Sequence, residues 1–118
     1  MTVRSGVSPA AAGAGSRLVD LMGSWLVERR LSKVAARLRS LRAELAVIDE
    51  QLLHLADDAD DQAIRALVSE TAGASFEARS AQGSFDAMRK HRQHVVDEIA
   101  TLEERQDELL DRLSATAS

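Results

Sequence analysis

The feature that most constrains the fold is a run of eight apolar residues whose spacing alternates between three and four positions without an error. The run consists of Leu31, Val34, Leu38, Leu41, Leu45, Ile48, Leu52 and Leu55. A repeat of about 3.5 residues keeps one stripe of a helix facing the same partner, which is the a/d pattern of a coiled coil. The sequence therefore predicts a long helix here that packs lengthwise against another helix.

A second run with the same rhythm occupies the C-terminal part of the chain. It consists of Ala74, Ala78, Ala81, Phe85, Met88, Arg92, Val95, Ile99, Leu102, Gln106, Leu109 and Leu113. Arg92 and Gln106 interrupt this seam, each at heptad position a. Two interpretations remain open, because such residues either extend to solvent at the rim or fix the register and the number of partners.

Composition favours an all-α fold and excludes several classes of function. Pro9 is the only proline, so nothing after it forbids helix, and no alternating β-branched and aromatic run predicts a strand. The chain has no cysteine, which excludes thiolate chemistry and favours a reducing compartment, the cytoplasm. No apolar run approaches the roughly 20 residues of a membrane span. The net charge of −4 argues against general nucleic-acid binding.

The heptad pattern is interrupted between the two runs. The next seam positions would be Ala59, Gln62, Ala66 and Ser69, which do not resemble a core. Ile64, Leu67 and Val68 instead form a short stripe of their own at helical spacing. Gly73 offers a left-handed cap after it. We therefore predict a short tip helix over about 60–72.

The predicted architecture is an antiparallel coiled-coil helical hairpin over residues 31–113, long–short–long, with the chain folding back near residue 65. Folding there lays the basic segment 17–42 beside the acidic segment 95–118, which favours antiparallel pairing. The end of the second run then extends past the start of the first. Either the N-terminal segment or a second chain must cover that end.

The segment "SRLVDLMGSWLVERR", residues 16–30, predicts a separate amphipathic helix over 17–30, between disordered tails at 1–16 and 114–118. Its apolar face consists of Leu18, Leu21, Met22, Trp25 and Leu26, at helical spacing but out of phase with the first seam.

Three destinations compete for that face. It covers the overhanging C-terminal end of its own chain, or it docks in a groove of a homodimer or another protein, with Trp25 as the aromatic anchor. The third destination is a membrane surface, with Arg29, Arg30 and Lys33 near lipid phosphates. Asp20 and Glu28 dilute the basic charge and count against it.

Four aspartates, Asp57, Asp58, Asp60 and Asp61, form an acidic tip just before the predicted short helix. Carboxylates at a helix start cap free N–H groups and meet the positive end of the helix dipole. The spacing of a calcium-binding loop is absent. We interpret the cluster as a helix cap.

Catalytic and metal-binding patterns are not found in the sequence. His91 and His94 are three residues apart, but they fall on different sides of the seam, and His54 is also at an outer position. We expect solvated histidines and neither a metal nor another cofactor. With no paired nucleophile and base and no glycine-rich phosphate loop, the chain is not expected to be an enzyme.

Two resemblances bear on function. The stretch "DADDQA", Asp58 to Ala63, resembles the D-x-x-D-x-A tip of the DksA and Gre proteins, which insert a hairpin into the secondary channel of bacterial RNA polymerase. That resemblance implies tip acids that approach the catalytic magnesium, although the four-cysteine zinc module of DksA is absent. The stretches "ADDADDQAIRALVSET" and "IATLEERQDELLDRL" resemble small uncharacterised coiled-coil proteins of actinobacteria over residues 26–113, a likeness that implies no activity.

The sequence as a whole predicts a non-enzymatic coiled-coil adaptor or scaffold that binds protein, with self-association into a dimer or a four-helix bundle. The alternatives are an RNA polymerase secondary-channel regulator and a peripheral membrane-surface protein. The residues expected to contact a partner are Leu18, Leu21, Met22, Trp25 and Leu26, and in second place Ile64, Leu67 and Val68.

Overall fold

The computed structural model describes the backbone of residues 9–117 and the side chains of residues 17–116. This part of the chain forms two long helices, α1 over Pro9–Ser69 and α2 over Ala72–Ala117, and contains no strand. The all-α prediction and the pair of long helices are confirmed. Of the predicted disordered tails, residues 1–8 and 118 lie outside the described residues, whereas 9–16 and 114–117 belong to the helices.

Helix α1 continues without a break through both points at which the sequence predicts a boundary. Residues 17–30 are helical, as predicted, but they join the long helix directly. The separate tip helix at about 60–72 does not exist, because α1 continues to Ser69. No proline follows Pro9, so nothing in the backbone forces a helix to end at these boundaries.

The chain reverses at Glu70 and Thr71, about five residues later than predicted. Glu70 has a left-handed φ of 51°, and its N–H donates to the carbonyl oxygen of Ala66 at 3.2 Å. The hydroxyl of Thr71 accepts a hydrogen bond from the N–H of Ala74 at 3.1 Å, the geometry of a helix N-cap. Gly73 was predicted as the left-handed cap, but it has no positive φ and lies inside α2.

The two predicted seams are confirmed as the core of the hairpin. Every residue of both runs is buried or half-buried, including Arg92 and Gln106. Leu38 and Leu41 are the most enclosed, each 1% exposed. Large apolar side chains at these positions supply the main favourable term in folding, since each contributes roughly 1.5–3 kcal/mol when fully buried.

The α1 seam extends further in both directions than the leucine run suggests. Ala59 is 6% exposed, and Gln62 and Ala66 are half-buried, although the sequence analysis had dismissed these positions. At the other end Val27, 8% exposed, adds a buried residue that the sequence analysis missed. Small side chains near the turn let the helices approach closely, so a seam that lacks leucine still forms a core.

The described residues group into two compact units. One unit contains the start of α1, up to Ala36, and the end of α2, from Glu103; the other contains residues 37–102. Within the first unit Val27 and Leu109 are both buried. Among residues 17–30 Val27 is the buried side chain, and it does not belong to the predicted apolar face.

Three pairs of side chains join the helices in the second unit. Arg37 Nε donates to Glu98 Oε2 at 2.8 Å, Arg92 Nε donates to Asp49 Oδ1 at 2.6 Å, and His91 Nε2 lies 3.2 Å from Glu44 Oε1. The hydrogen bond and the charge of Glu98 raise the pKa of Arg37 above its usual value, and those of Asp49 do the same for the pKa of Arg92. Exposed pairs of this kind contribute little to the free energy of folding. We therefore infer that they fix the antiparallel register of the two helices more than they stabilise the fold.

Candidate interaction surface

The first candidate surface is an exposed apolar face on the start of α1. We call it the N-terminal patch: Leu18, Val19, Leu21, Met22, Trp25 and Leu26, between 45% and 69% exposed. Five of these six residues were predicted as partner contacts, and Val19 was not. Since the unit's own seam uses Val27, the described chain leaves this patch uncovered. A contiguous apolar face on a small protein marks a site of interaction.

An open groove lies beside the N-terminal patch within the same unit. It is lined by Arg17, Asp20, Leu21, Ser24, Glu28, Leu113 and Thr116. Ser24, Asp20 and Arg17 continue the α1 seam positions upstream of Val27, so the seam is polar at this end. The groove also contains the two acids, Asp20 and Glu28, that the sequence analysis counted against the basic side of the segment.

Basic side chains border the N-terminal patch on the side toward the centre of α1. The guanidinium of Arg29 lies over the Trp25 ring, 5.4 Å from its centroid, a cation–π contact that holds the indole against the helix. Arg30 and Lys33 are exposed nearby. The patch therefore presents an aromatic anchor beside a cationic border.

The second candidate surface lies on α1 shortly before the chain reverses. Ile64, Leu67 and Val68, which we call the turn-proximal patch, are 60%, 79% and 79% exposed. They were predicted as a stripe of their own, and the structure places them on the side of α1 opposite its seam residues. They therefore share a face without contributing to the core.

The four aspartates occupy the interior of α1, so the prediction that they cap a helix is wrong. Asp57, Asp58, Asp60 and Asp61 are all exposed and helical, and no helix begins at them. Nor do they form the tip of the hairpin, because the reversal is at Glu70. The motif that resembles the polymerase-channel proteins thus lies on the side of α1 and not at the turn.

No metal centre is arranged among the described side chains. No group of three or more His, Asp or Glu side chains in this part of the chain is arranged to hold a metal ion. His91 lies beside Glu44, whereas His54 and His94 are exposed. Neither helix, over its described residues, has a stretch apolar and long enough to cross a membrane.

Comparison with known proteins found no protein-family model, curated sequence or solved structure that matches this chain.

Proposed function

We propose that this chain is a non-enzymatic coiled-coil module that acts by helix–helix association, with a second copy of itself as its partner. Its place of action is the cytoplasm, in keeping with a sequence free of cysteine. The antiparallel hairpin serves as a rigid support, and the surfaces of α1 that the hairpin leaves uncovered carry the binding.

One observation carries this proposal: the N-terminal patch is apolar, contiguous and separate from the seam of its own hairpin. Leu18, Met22 and Trp25 follow one another at helical spacing on a helix whose buried side is marked by Val27. Aromatic and large aliphatic side chains of this kind are the anchors of protein interfaces. A helix face with such anchors docks against another helix or into a groove.

The apolar surface that the hairpin leaves exposed favours self-association. Two helices cover only one side of each other, and exposed Val47 and Leu110 add apolar surface outside the seam. Packing against a second hairpin gives a four-helix bundle, in which more of this surface is removed from water. Two-fold symmetric dimers are the commonest assemblies of identical chains.

The test replaces the three anchors together, as Leu18→Gln, Met22→Gln and Trp25→Gln, because glutamine keeps helix propensity while removing apolar surface. We expect the wild-type chain to have the mass of two or more chains by multi-angle light scattering. The triple variant is expected to have the mass of one chain at the same concentration. Three lost anchors raise the dissociation constant by about a hundredfold or more.

Phe76→Gln is the matched control, since Phe76 is as exposed as Met22, at 62% against 63%, but lies outside both patches. This variant should keep the wild-type mass. A wild-type chain that stays monomeric at all concentrations would contradict the proposal. So would binding to vesicles of anionic lipid with a blue shift of Trp25 fluorescence and no self-association, a result that would assign the patch to a membrane surface.

A further inference from the structure

The two patches of α1 differ in the sign of the charges beside them. We propose that the N-terminal patch of one copy packs against the turn-proximal patch of a second copy, with the two α1 segments antiparallel. This inference rests on the proposed function and adds to it the identity of the surfaces that meet.

The turn-proximal patch has its acids on the same helix face. Asp57, Asp60 and Asp61 lie one heptad before Ile64, Leu67 and Val68, so the six side chains follow one line along α1, acids first and apolar residues after.

A helix cap does not explain these acids. No helix begins there, and like charges three or four residues apart destabilise a helix by about 0.2–0.5 kcal/mol for each pair. They do, however, border an apolar surface with negative charge.

The N-terminal patch has the reverse composition. Its apolar residues come first, and the exposed cations Arg29 and Lys33 follow on the same face of α1. Asp20 and Glu28 line the groove beside Leu113, so the acids of this segment are turned toward α2. The border of the N-terminal patch is therefore positive.

Antiparallel alignment matches both patches at once. Placing Trp25 of one copy beside Ile64 of the other also brings Met22 to Leu67, because sequence numbers rise on one helix as they fall on the other. The same alignment brings Arg29 to Asp60. Apolar residues then meet apolar residues, which supplies affinity, and opposite charges meet at the border, which selects partner and orientation.

Other pairings of the same surfaces bring no opposite charges together at their borders. If the two patches pack with their helices parallel, Arg29 of one copy lies beyond Ser69 of the other, past the end of α1. The cations and the acids then never meet. Two N-terminal patches in parallel oppose Arg29 to Arg29 and Lys33 to Lys33, and juxtaposed like charges act against a pairing. Two turn-proximal patches in parallel oppose their acids in the same way. Two like patches in an antiparallel pair bring no opposite charges together either, since Arg29 of one N-terminal patch then lies beyond the patch of the other copy. The antiparallel unlike pairing is the arrangement in which opposite charges meet at the border.

The experiment is a complementation between two variants. One carries Leu18→Gln, Met22→Gln and Trp25→Gln and lacks the N-terminal patch. The other carries Ile64→Gln, Leu67→Gln and Val68→Gln and lacks the turn-proximal patch, and circular dichroism checks the helicity of both.

Each variant alone should sediment as a single chain at a concentration at which the wild type associates. An equimolar mixture should contain a 1:1 complex, because each variant still has the surface that the other has lost.

A charge exchange tests the alignment separately. Arg29→Asp and Asp60→Arg should each weaken self-association severalfold, and the chain with both changes should regain wild-type association. Lys90→Asp, an exposed position of α2, makes the same change in net charge as Arg29→Asp and should leave association unaltered.

The outcomes separate this inference from the proposed function. A variant without the turn-proximal patch that associates as tightly as the wild type would overturn the inference and leave self-association standing. The same holds for a mixture in which no 1:1 complex forms. A monomeric wild-type chain would overturn both.

Discussion

Leu41→Ala should lower the free energy of unfolding by about 2–5 kcal/mol, the range for truncating a fully buried leucine. Leu41 is 1% exposed and lies in the middle of the α1 seam. Removing its branched end takes apolar area out of the core and leaves a cavity that the rigid pair of helices fills only in part. Unfolding in urea, followed by circular dichroism at a fixed protein concentration, measures the loss.

Leu53→Ala is the control, because it makes the same change on the same helix at a side chain that is 69% exposed. Both variants gain the same helix propensity from alanine, so their difference reports packing alone. Leu53→Ala should change the free energy of unfolding by no more than about 0.5 kcal/mol. Equal losses at the two positions would mean that the seam is not the core.

Ala59→Leu should lower the free energy of unfolding by about 1–3 kcal/mol, the usual result of inserting bulk into a packed site. Ala59 is 6% exposed and Ala81 is 8% exposed, and the two lie equally far along the chain from Glu70. A leucine at either position forces the helices apart near the turn. Unfolding in urea again gives the free energy of unfolding, from the midpoint and the slope of the transition.

Ala63→Leu, at an exposed position of the same helix, is the matched control and should be nearly neutral. This comparison also separates the structure from the fold predicted by the sequence analysis. If residues 60–72 formed a separate tip helix, Ala59 would lie outside the core, and both substitutions would be tolerated alike.

The two seams could be read directly from the sequence, because a period of about 3.5 residues has one structural explanation over several heptads. Ala59, Gln62 and Ala66 continue that period, yet their side chains are too small or too polar to be recognised as a core. Close helix packing at small residues is a property of the pair of helices, and no single residue signals it.

The position of the reversal was harder to predict, because local and tertiary preferences disagree there. Gly73 has the stronger intrinsic tendency toward a left-handed conformation, but Glu70 adopts it. A reversal at Glu70 lets Ala59 face Ala81 and keeps the two seams in phase. Packing along the whole seam outweighs the local cost of about 1 kcal/mol for a non-glycine residue at positive φ.

The interaction surface was predicted in part. Leu18, Met22 and Trp25 stand out because they depart from the phase of the seam, and the structure leaves them exposed. The aspartates were assigned to a cap because a helix start was expected beside them. Because α1 is continuous, no helix starts beside the aspartates and they cannot act as a cap. Three of them instead lie on the same face of α1 as the turn-proximal patch.

Both proposals for α1 require that the chain fold back on itself at Glu70 to form an antiparallel hairpin. The chain contains no cysteine, so Glu50→Cys with Lys90→Cys places one pair of spin labels at two exposed positions of the same unit. Labelled chains diluted into an excess of unlabelled chains report only the distance within one molecule. Helix axes that pack at about 8–10 Å predict a distance below about 35 Å between the labels. A distance near 60 Å, which about 40 residues of uninterrupted helix would span, would contradict the hairpin.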